Sequence, residues 1–156
     1  MVRNLTKSAL LERITVDGTN YQAATGQDGA AVNSGIIDTL GYAGLTIMFL
    51  RGNGTAANVL TVKLQSGDNS ALSDAADVTG TSQTVTDVSD NKDNRMVCYD
   101  VFKPKKRYWR VVYQRTTQNS PIDGIVVIKH LPSHAFVTQA TAAGGHGATP
   151  VVLNEP

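Results

Sequence analysis

Histidines are the most obvious candidates for chemistry in this chain, because two of them are spaced like metal ligands. His130 and His134 lie four residues apart, which would place both on one face of a helix. Pro132 lies between them, however, and the segment follows an apolar strand-like run, so the helix of such a zinc site is not predicted. His146 lies in a glycine-rich stretch and is interpreted as a solvated residue. We therefore predict no metal site at the histidines.

Aspartates form a second candidate cluster, between residues 68 and 93. Their oxygens are suitable calcium ligands, but the bidentate glutamate that ends a calcium loop is missing from the spacing. We interpret the segment as a solvated surface loop with no metal or other cofactor. Its acidic residues are Asp68, Asp74, Asp77, Asp87, Asp90 and Asp93.

Nucleophilic catalysis requires a serine or cysteine beside a base and an orienting acid. The serines lie in turn-rich segments without the glycine elbow that exposes a nucleophile. Cys98 is the only cysteine; it lies in a predicted strand and is expected to be a small buried side chain, with a lone reactive thiol as the alternative. The sequence therefore predicts that the protein is not an enzyme.

Basic residues cluster from Lys103 to Arg110 and include Lys105, Lys106 and Arg107. Binding to nucleic acid is not favoured, because the formal net charge is only +1 and the acidic segment before the cluster would repel phosphates. Two interpretations remain open. The cluster is either a positive surface for an acidic neighbour, such as the aspartate-rich loop of another copy, or a solvated turn that protects an edge strand.

Two strands with alternating polarity must position this basic cluster. Met96 to Phe102 precedes it and Tyr108 to Tyr113 follows it, with a turn at Pro104 between them. We expect the two strands to form an antiparallel hairpin. Trp109 shares a face with Val111 and Tyr113, so it is predicted to lie in the core.

Other strand-like runs occur at regular, turn-marked intervals along the chain. The most apolar run, 45–50, is expected to be central and covered on both faces. Seven or eight strands with almost no helical periodicity predict an all-β, antiparallel two-sheet sandwich that is jelly-roll-like. The remaining predicted strands are 36–40, 60–64, 83–88 and 124–131.

The chain has 156 residues, which is the length of one domain. We predict an N-terminal arm at 1–12, a β-sandwich at 13–137 and an extended C-terminal arm at 138–156. No segment approaches the roughly 20 apolar residues of a membrane span or the apolar run of a secretory signal, so neither a membrane partner nor export is predicted. The apolar residues expected to dock the arms are Leu5, Leu10, Leu11, Val151, Val152 and Leu153.

Four short motifs give the chain a resemblance to a known family. They are 31–32 with Ile37–Tyr42, Leu60–Asp68, Lys106–Val112 and Gly124–Pro132. In this order they resemble the strands of tailed-bacteriophage capsid cement or decoration proteins, which are small head proteins encoded near the major capsid gene. The chain departs from the family pattern after Asp68, where the usual aromatic residue is absent, and before Lys106, where the turn is not glycine-rich.

This resemblance implies a structural protein that is made in the host cytoplasm and binds the outside of an icosahedral head. The implied partners are the major capsid protein and further copies of the chain, as a homodimer or homotrimer. The interface residues expected on this reading are the arm residues named above together with Lys105, Lys106 and Arg107. The alternative is a carbohydrate-binding jelly-roll module, which would need exposed aromatic side chains for stacking on sugars.

Overall fold

The computed structural model describes residues 5–20, 24–26, 28–87 and 94–133. Within them, one helical turn, α1 (Leu5–Ser8), precedes a series of strands. The long strands alternate between buried and partly exposed positions, as expected for sheets with one face on a core. The strands are β1 (Ala9–Ile14), β2 (Val32–Asn33), β3 (Ile37–Asp38), β4 (Tyr42–Arg51), β5 (Asn58–Gly67), β6 (Ala76–Asp77), β7 (Gln83–Asp87), β8 (Met96–Phe102), β9 (Tyr108–Thr116) and β10 (Ile122–Pro132).

The strands form two antiparallel sheets. Sheet A has the order β1-β10-β4-β8, and sheet B has the order β2-β9-β5-β6, with β3 also on β9 and β7 also on β5. If β2 with β3 and β6 with β7 are each counted as one interrupted strand, each sheet has four strands, and the chain crosses between sheets at every connection except the one from β5. This is the jelly-roll arrangement, so the predicted fold class is confirmed.

The core lies between the sheets and is built from the inward faces of four long strands. Leu60, Val62 and Leu64 of β5 have no exposed surface, as the alternation of their segment predicted. Trp109 is only 4% exposed, which confirms its predicted core position. Its indole N–H donates to the carbonyl of Lys106 at 2.7 Å, so the polar atom is satisfied inside the fold.

The predicted hairpin of β8 and β9 is wrong. β8 pairs with β4 in sheet A, whereas β9 pairs with β5 in sheet B. The segment between them crosses from one sheet to the other, beginning at Lys103 with a left-handed φ of 51°. Because each strand is apolar on one face, each can bury that face in the core from its own sheet, and the alternation alone does not distinguish this arrangement from a hairpin.

Three further expectations differ from the structure. β4 is central, as predicted, but only its inner face is fully buried. Cys98 is exposed, because it lies on the outer face of β8 at the edge of sheet A. Residues 9–12, expected in the N-terminal arm, form the first part of β1 and pair with β10, because Ala9 and Ile14 supply buried side chains to the sandwich.

Candidate docking end

One end of the sandwich gathers the basic cluster and several other residues that the sequence singled out. We call it the arm end: it comprises α1, residues 38–44, residues 67–74, the turn 102–108 and residues 130–133. The register places them together, since Ala9 lies opposite His130 and Gly44 lies opposite Phe102. Ser133 also lies here, and its N–H donates to the carbonyl of Gly41 at 2.8 Å.

The basic turn is tied to this end by ion pairs within the chain. Arg107 donates to both oxygens of Asp38, at 2.9 Å from Nε and 2.8 Å from Nη2. Lys106 pairs with Asp68. Lys105 is exposed, and no ion pair holds it among the described residues. One contact between the basic cluster and the aspartate-rich segment is therefore made inside the chain, at Lys106, whereas the acidic neighbour suggested from the sequence was another copy.

These pairs change the titration of the carboxylates. The hydrogen bonds from Arg107 lower the pKa of Asp38 below its ordinary value. The pKa of Asp74 is also lowered, chiefly because its carboxylate accepts the backbone N–H groups of Asp68 and Asn69. Asp74 is thus engaged in holding its own turn, whereas Asp87, which the sequence analysis placed in the solvated loop, is buried beside Arg51.

Lys129 joins the two sheets at the arm end. Its side chain is mostly buried, and Nζ lies 2.9 Å from Glu12 of β1 and 3.1 Å from the backbone oxygen of Asp38 in β3. The same ammonium lies 5.5 Å from the ring centre of Tyr42. Because the ammonium is paired with a carboxylate and a carbonyl, its charge is accommodated despite burial. Lys129 thereby links β10 and β1 of sheet A to β3 of sheet B at the arm end.

Apolar side chains are unusually exposed at this end. Four of the six large hydrophobic residues that are exposed in the described chain lie here: Leu5 (53%), Leu40 (65%), Phe102 (67%) and Leu131 (51%). Leu131 has a left-handed φ of 55°, where the chain turns out of β10 before Pro132. Exposed apolar groups gathered in one region are typical of an interaction surface.

The predicted interface residues divide between this end, the sheet and the part of the chain outside the described residues. Leu5 and Lys105 are exposed at the arm end. Leu10 and Leu11 are half-buried in β1, because they belong to the sheet rather than to a free arm. Val151, Val152 and Leu153 lie outside the described residues, as do His134 and His146.

Sequence reasoning missed Leu40 and Leu131 as surface residues. Both lie at the ends of predicted strands, where an apolar residue is ordinarily assigned to the core. A usable signal was present in each case, since Gly41 and Pro132 follow directly and mark chain reversals.

No cluster of metal-binding side chains forms in the described part of the chain. No group of three or more histidine, cysteine, aspartate or glutamate side chains there converges on a common point. His130 instead lies within 3.2 Å of the Thr46 hydroxyl and 3.7 Å of Asp100 on the outer face of sheet A. None of the helical residues described is part of a segment long and apolar enough to span a membrane.

The opposite end of the sandwich holds a buried polar network that the sequence analysis did not predict. Arg51 donates to Asn58 at 2.7 Å, to Asp87 at 3.3 Å and to the Ser120 hydroxyl at 3.3 Å. The Arg51 and Asp87 side chains are only 2% and 0% exposed. This network ties the end of β4 to the start of β5 and the end of β7.

Comparison with known proteins finds only distant structural similarities. No protein-family model matches the sequence, and no curated protein matches it. A CBM4 structure shares 15% identity over 76% of this chain and 78% of its own, with a TM-score of 0.47. The VP2 subviral particle of infectious bursal disease virus shares 12% identity over 78% of this chain and 33% of its own, with a TM-score of 0.43.

A third similar structure is the Eiger TNF from S. frugiperda, with 8% identity over 85% of this chain and 99% of its own, and a TM-score of 0.45. The class that the chain belongs to by its own geometry is the jelly-roll β-sandwich. No conclusion about this chain rests on the three similarities.

Proposed function

We propose that this protein is a capsid decoration protein, a structural virion component that binds the outside of an icosahedral phage head through its arm end. The observation that carries the proposal is the gathering of exposed Leu5, Leu40 and Leu131 at one end of the sandwich. The family resemblance of the sequence motifs points to the same role.

The chemistry of the arm end suits a protein partner. Lys103 and Lys105 add positive charge beside the apolar side chains, and in the described residues neither is neutralised by a carboxylate. Lys103 lies 5.3 Å from the ring centre of Phe102 instead. Apolar contacts with a cationic border fit a capsid surface that presents apolar grooves flanked by acids.

Binding of this kind stabilises the head by mass action. A ligand that binds only the assembled lattice adds free energy to that lattice and none to its separate subunits. The many symmetric copies on a head make a modest affinity per copy sufficient. No bond is made or broken in this role, which agrees with the prediction that the protein is not an enzyme.

The carbohydrate-binding alternative loses its main sequence feature in the structure. The only tryptophan of the chain, Trp109, lies in the core and is not available for stacking on a sugar ring. Phe102 is the most exposed of the large hydrophobic side chains described, and it belongs to the arm end.

Co-sedimentation with empty tailed-phage heads assembled without this protein tests the proposal. We expect saturable binding at a fixed ratio to capsid subunits. The double variant Leu40→Glu/Leu131→Glu should weaken binding by about a hundredfold, because two exposed apolar contacts become buried charges at the interface.

A matched control carries the same charge change to the opposite end. Asn53→Glu/Gln118→Glu alters two exposed polar side chains there and should bind like the unchanged protein. Equal binding by both variants would reject the arm end as the docking surface. Absence of any binding to heads, with recognition of a sugar on a glycan array, would reject the proposed function in favour of the carbohydrate alternative.

A further inference from the structure

A second surface lies along β8, at the edge of sheet A. Among the described strands, β8 pairs only with β4. A groove of about 520 Å³ runs beside it, between β8 and the β7 edge of sheet B, and its lining combines apolar Val85, Val97 and Val101 with polar Thr81 and Gln83. An unpaired strand edge beside a partly apolar groove is a template for pairing with another strand.

Hydrogen bonds identify which backbone groups face this free edge. The N–H of Lys103 donates to Ala43 at 2.7 Å, and the N–H of Arg51 donates to Arg95 at 2.8 Å. In an antiparallel pair such bonds recur at every second residue, so the odd-numbered residues of β8 bond to β4. The N–H and C=O groups of Met96, Cys98, Asp100 and Phe102 therefore point outward along the edge.

We propose that this edge pairs with β8 of a second copy of the chain, in an antiparallel register centred on Tyr99. That register overlaps all seven residues of the strand. It places Met96 opposite Phe102 of the second copy and Cys98 opposite Asp100 of the second copy, so that all the outward-facing backbone groups meet partners.

Side-chain chemistry favours this register. Met96 and Phe102 are 59% and 67% exposed, and pairing them covers both with a sulfur–aromatic contact. On the inner face, half-buried Val97 comes opposite Val101 of the second copy, at the mouth of the groove. Each copy carries both residue types of each pair, so every contact occurs twice about the axis, as a two-fold interface requires.

The two neighbouring registers are less favourable. Centring the pair on Asp100 places that carboxylate directly opposite its copy, and like charges in this position are destabilising. Centring it on Cys98 places Asp100 opposite the exposed apolar side chain of Met96 and removes the partner of Phe102. Charge and apolar pairing thus select the register centred on Tyr99.

Disulfide cross-linking of the full-length protein tests the register with one cysteine per chain. Unmodified protein carries Cys98, and the variant Cys98→Ser/Asp100→Cys carries a thiol two residues further along. With one chain enlarged by a tag, a mixture of the two should form a mixed disulfide under mild oxidation, because directly opposite Cα atoms lie about 5.5 Å apart. Each chain alone should remain largely uncross-linked, because its thiols are diagonal neighbours about 7–8 Å apart.

Cross-linking within either single sample would assign a shifted register and overturn the proposal as stated. The variant Cys98→Ser/Asp100→Ser mixed with unmodified protein is the matched control, and it should give no mixed disulfide.

Sedimentation velocity of full-length variants tests the pairing itself. Cys98→Pro removes an N–H that faces the free edge rather than β4, so the fold should persist while self-association weakens about tenfold or more. Cys98→Ala is the matched control and should associate like the unmodified protein.

A monomer at all concentrations would overturn the proposal. In that case, slow hydrogen exchange at the outward N–H groups of Cys98 and Asp100 would show that the edge is covered by another segment of the same chain. Loss of head binding with an intact dimer would refute only the proposed function, so the two failures are distinguishable.

Discussion

Removing the carboxylate of Asp87 is expected to cost far more stability than its place on the short strand β7 suggests. In Asp87→Ala, the guanidinium of Arg51 stays buried and loses its carboxylate, while its hydrogen bonds to the neutral oxygens of Asn58 and Ser120 remain. Breaking a buried pair by deleting one member costs about 3–5 kcal/mol. Because two neutral acceptors remain, we expect about 3 kcal/mol.

The matched control is Asp77→Ala, which makes the same substitution on another short strand of sheet B. Asp77 lies 2.6 Å from Lys63, but the two side chains are 54% and 32% exposed. Exposed pairs contribute about 0–1 kcal/mol. With a urea slope of about 2 kcal/mol/M for a domain of this size, Asp87→Ala should lower the unfolding midpoint by about 1.5 M and Asp77→Ala by less than about 0.5 M.

Fluorescence of the single, buried Trp109 reports the unfolding. Adding Arg51→Met to Asp87→Ala should recover at least half of the loss, because the uncompensated buried charge is then gone. Equal midpoints for Asp87→Ala and Asp77→Ala, or no recovery in the double variant, would refute the assignment of the cost to a stranded cation.

Three further predictions concern titration and exposure. Arg107 lowers the folded-state pKa of Asp38, so this carboxylate contributes stability above about pH 4 and loses that contribution as pH falls through the lowered value. The difference in urea midpoint between the unmodified protein and Asp38→Asn should therefore shrink from pH 7 to pH 3. A constant difference would contradict this prediction. Burial raises the pKa of Tyr99 and of Tyr113 to about 12. Folding therefore favours the neutral phenols, and their contribution to stability is full below about pH 10 and lost as pH rises through about 12. Absorbance at 295 nm should show two of the five tyrosines ionising at higher pH than the others, and titration of all five together near pH 10 would contradict this prediction. Cys98 is exposed, so one thiol per chain should react with Ellman's reagent without denaturant, and a reaction that requires urea would contradict the exposure.

The sandwich could be predicted from the sequence because the strands that build its core have a recognisable hydrophobic pattern. Alternation marks the inward faces of β5 and β9, and the isolated position of Trp109 among apolar neighbours marks it as core. The pairing of strands was harder to predict. The alternating pattern of β8 and β9 fits two arrangements, in which the strands are either neighbours in one sheet or members of opposite sheets. The choice depends on which strands occupy the neighbouring positions in each sheet.

Polar burial was the other part that the sequence did not reveal. Arg51 and Asp87 are far apart in the chain and look like ordinary charges beside loops. They become a buried pair only in the folded protein, where the end of β4 lies close to the end of β7. The exposure of Leu40 and Leu131 was missed for the converse reason. A hydrophobic pattern predicts that a leucine is buried, as most leucines are, and does not identify a leucine that a turn places in solvent.

The proposed β8 pairing and the proposed docking end together lead to a bivalent arrangement. In an antiparallel pair centred on Tyr99, the two arm ends lie at opposite ends of a strand ladder about 23 Å long. The two-fold axis stands perpendicular to sheet A, so a dimer lying flat on a head would reach outward to two capsid subunits at once. Tethering makes the second contact intramolecular and raises the overall affinity by about 10²-fold or more.

Dimerisation should therefore matter for head binding although β8 need not touch the capsid. Cys98→Pro, which blocks the pairing, should bind heads at least about tenfold more weakly than Cys98→Ala while reaching the same number of chains per head at saturation. Co-sedimentation over a range of protein concentrations measures both quantities. Equal affinity of the two variants would mean that each chain binds independently, and the bridging of neighbouring subunits would then have to come from the chain ends rather than from the dimer.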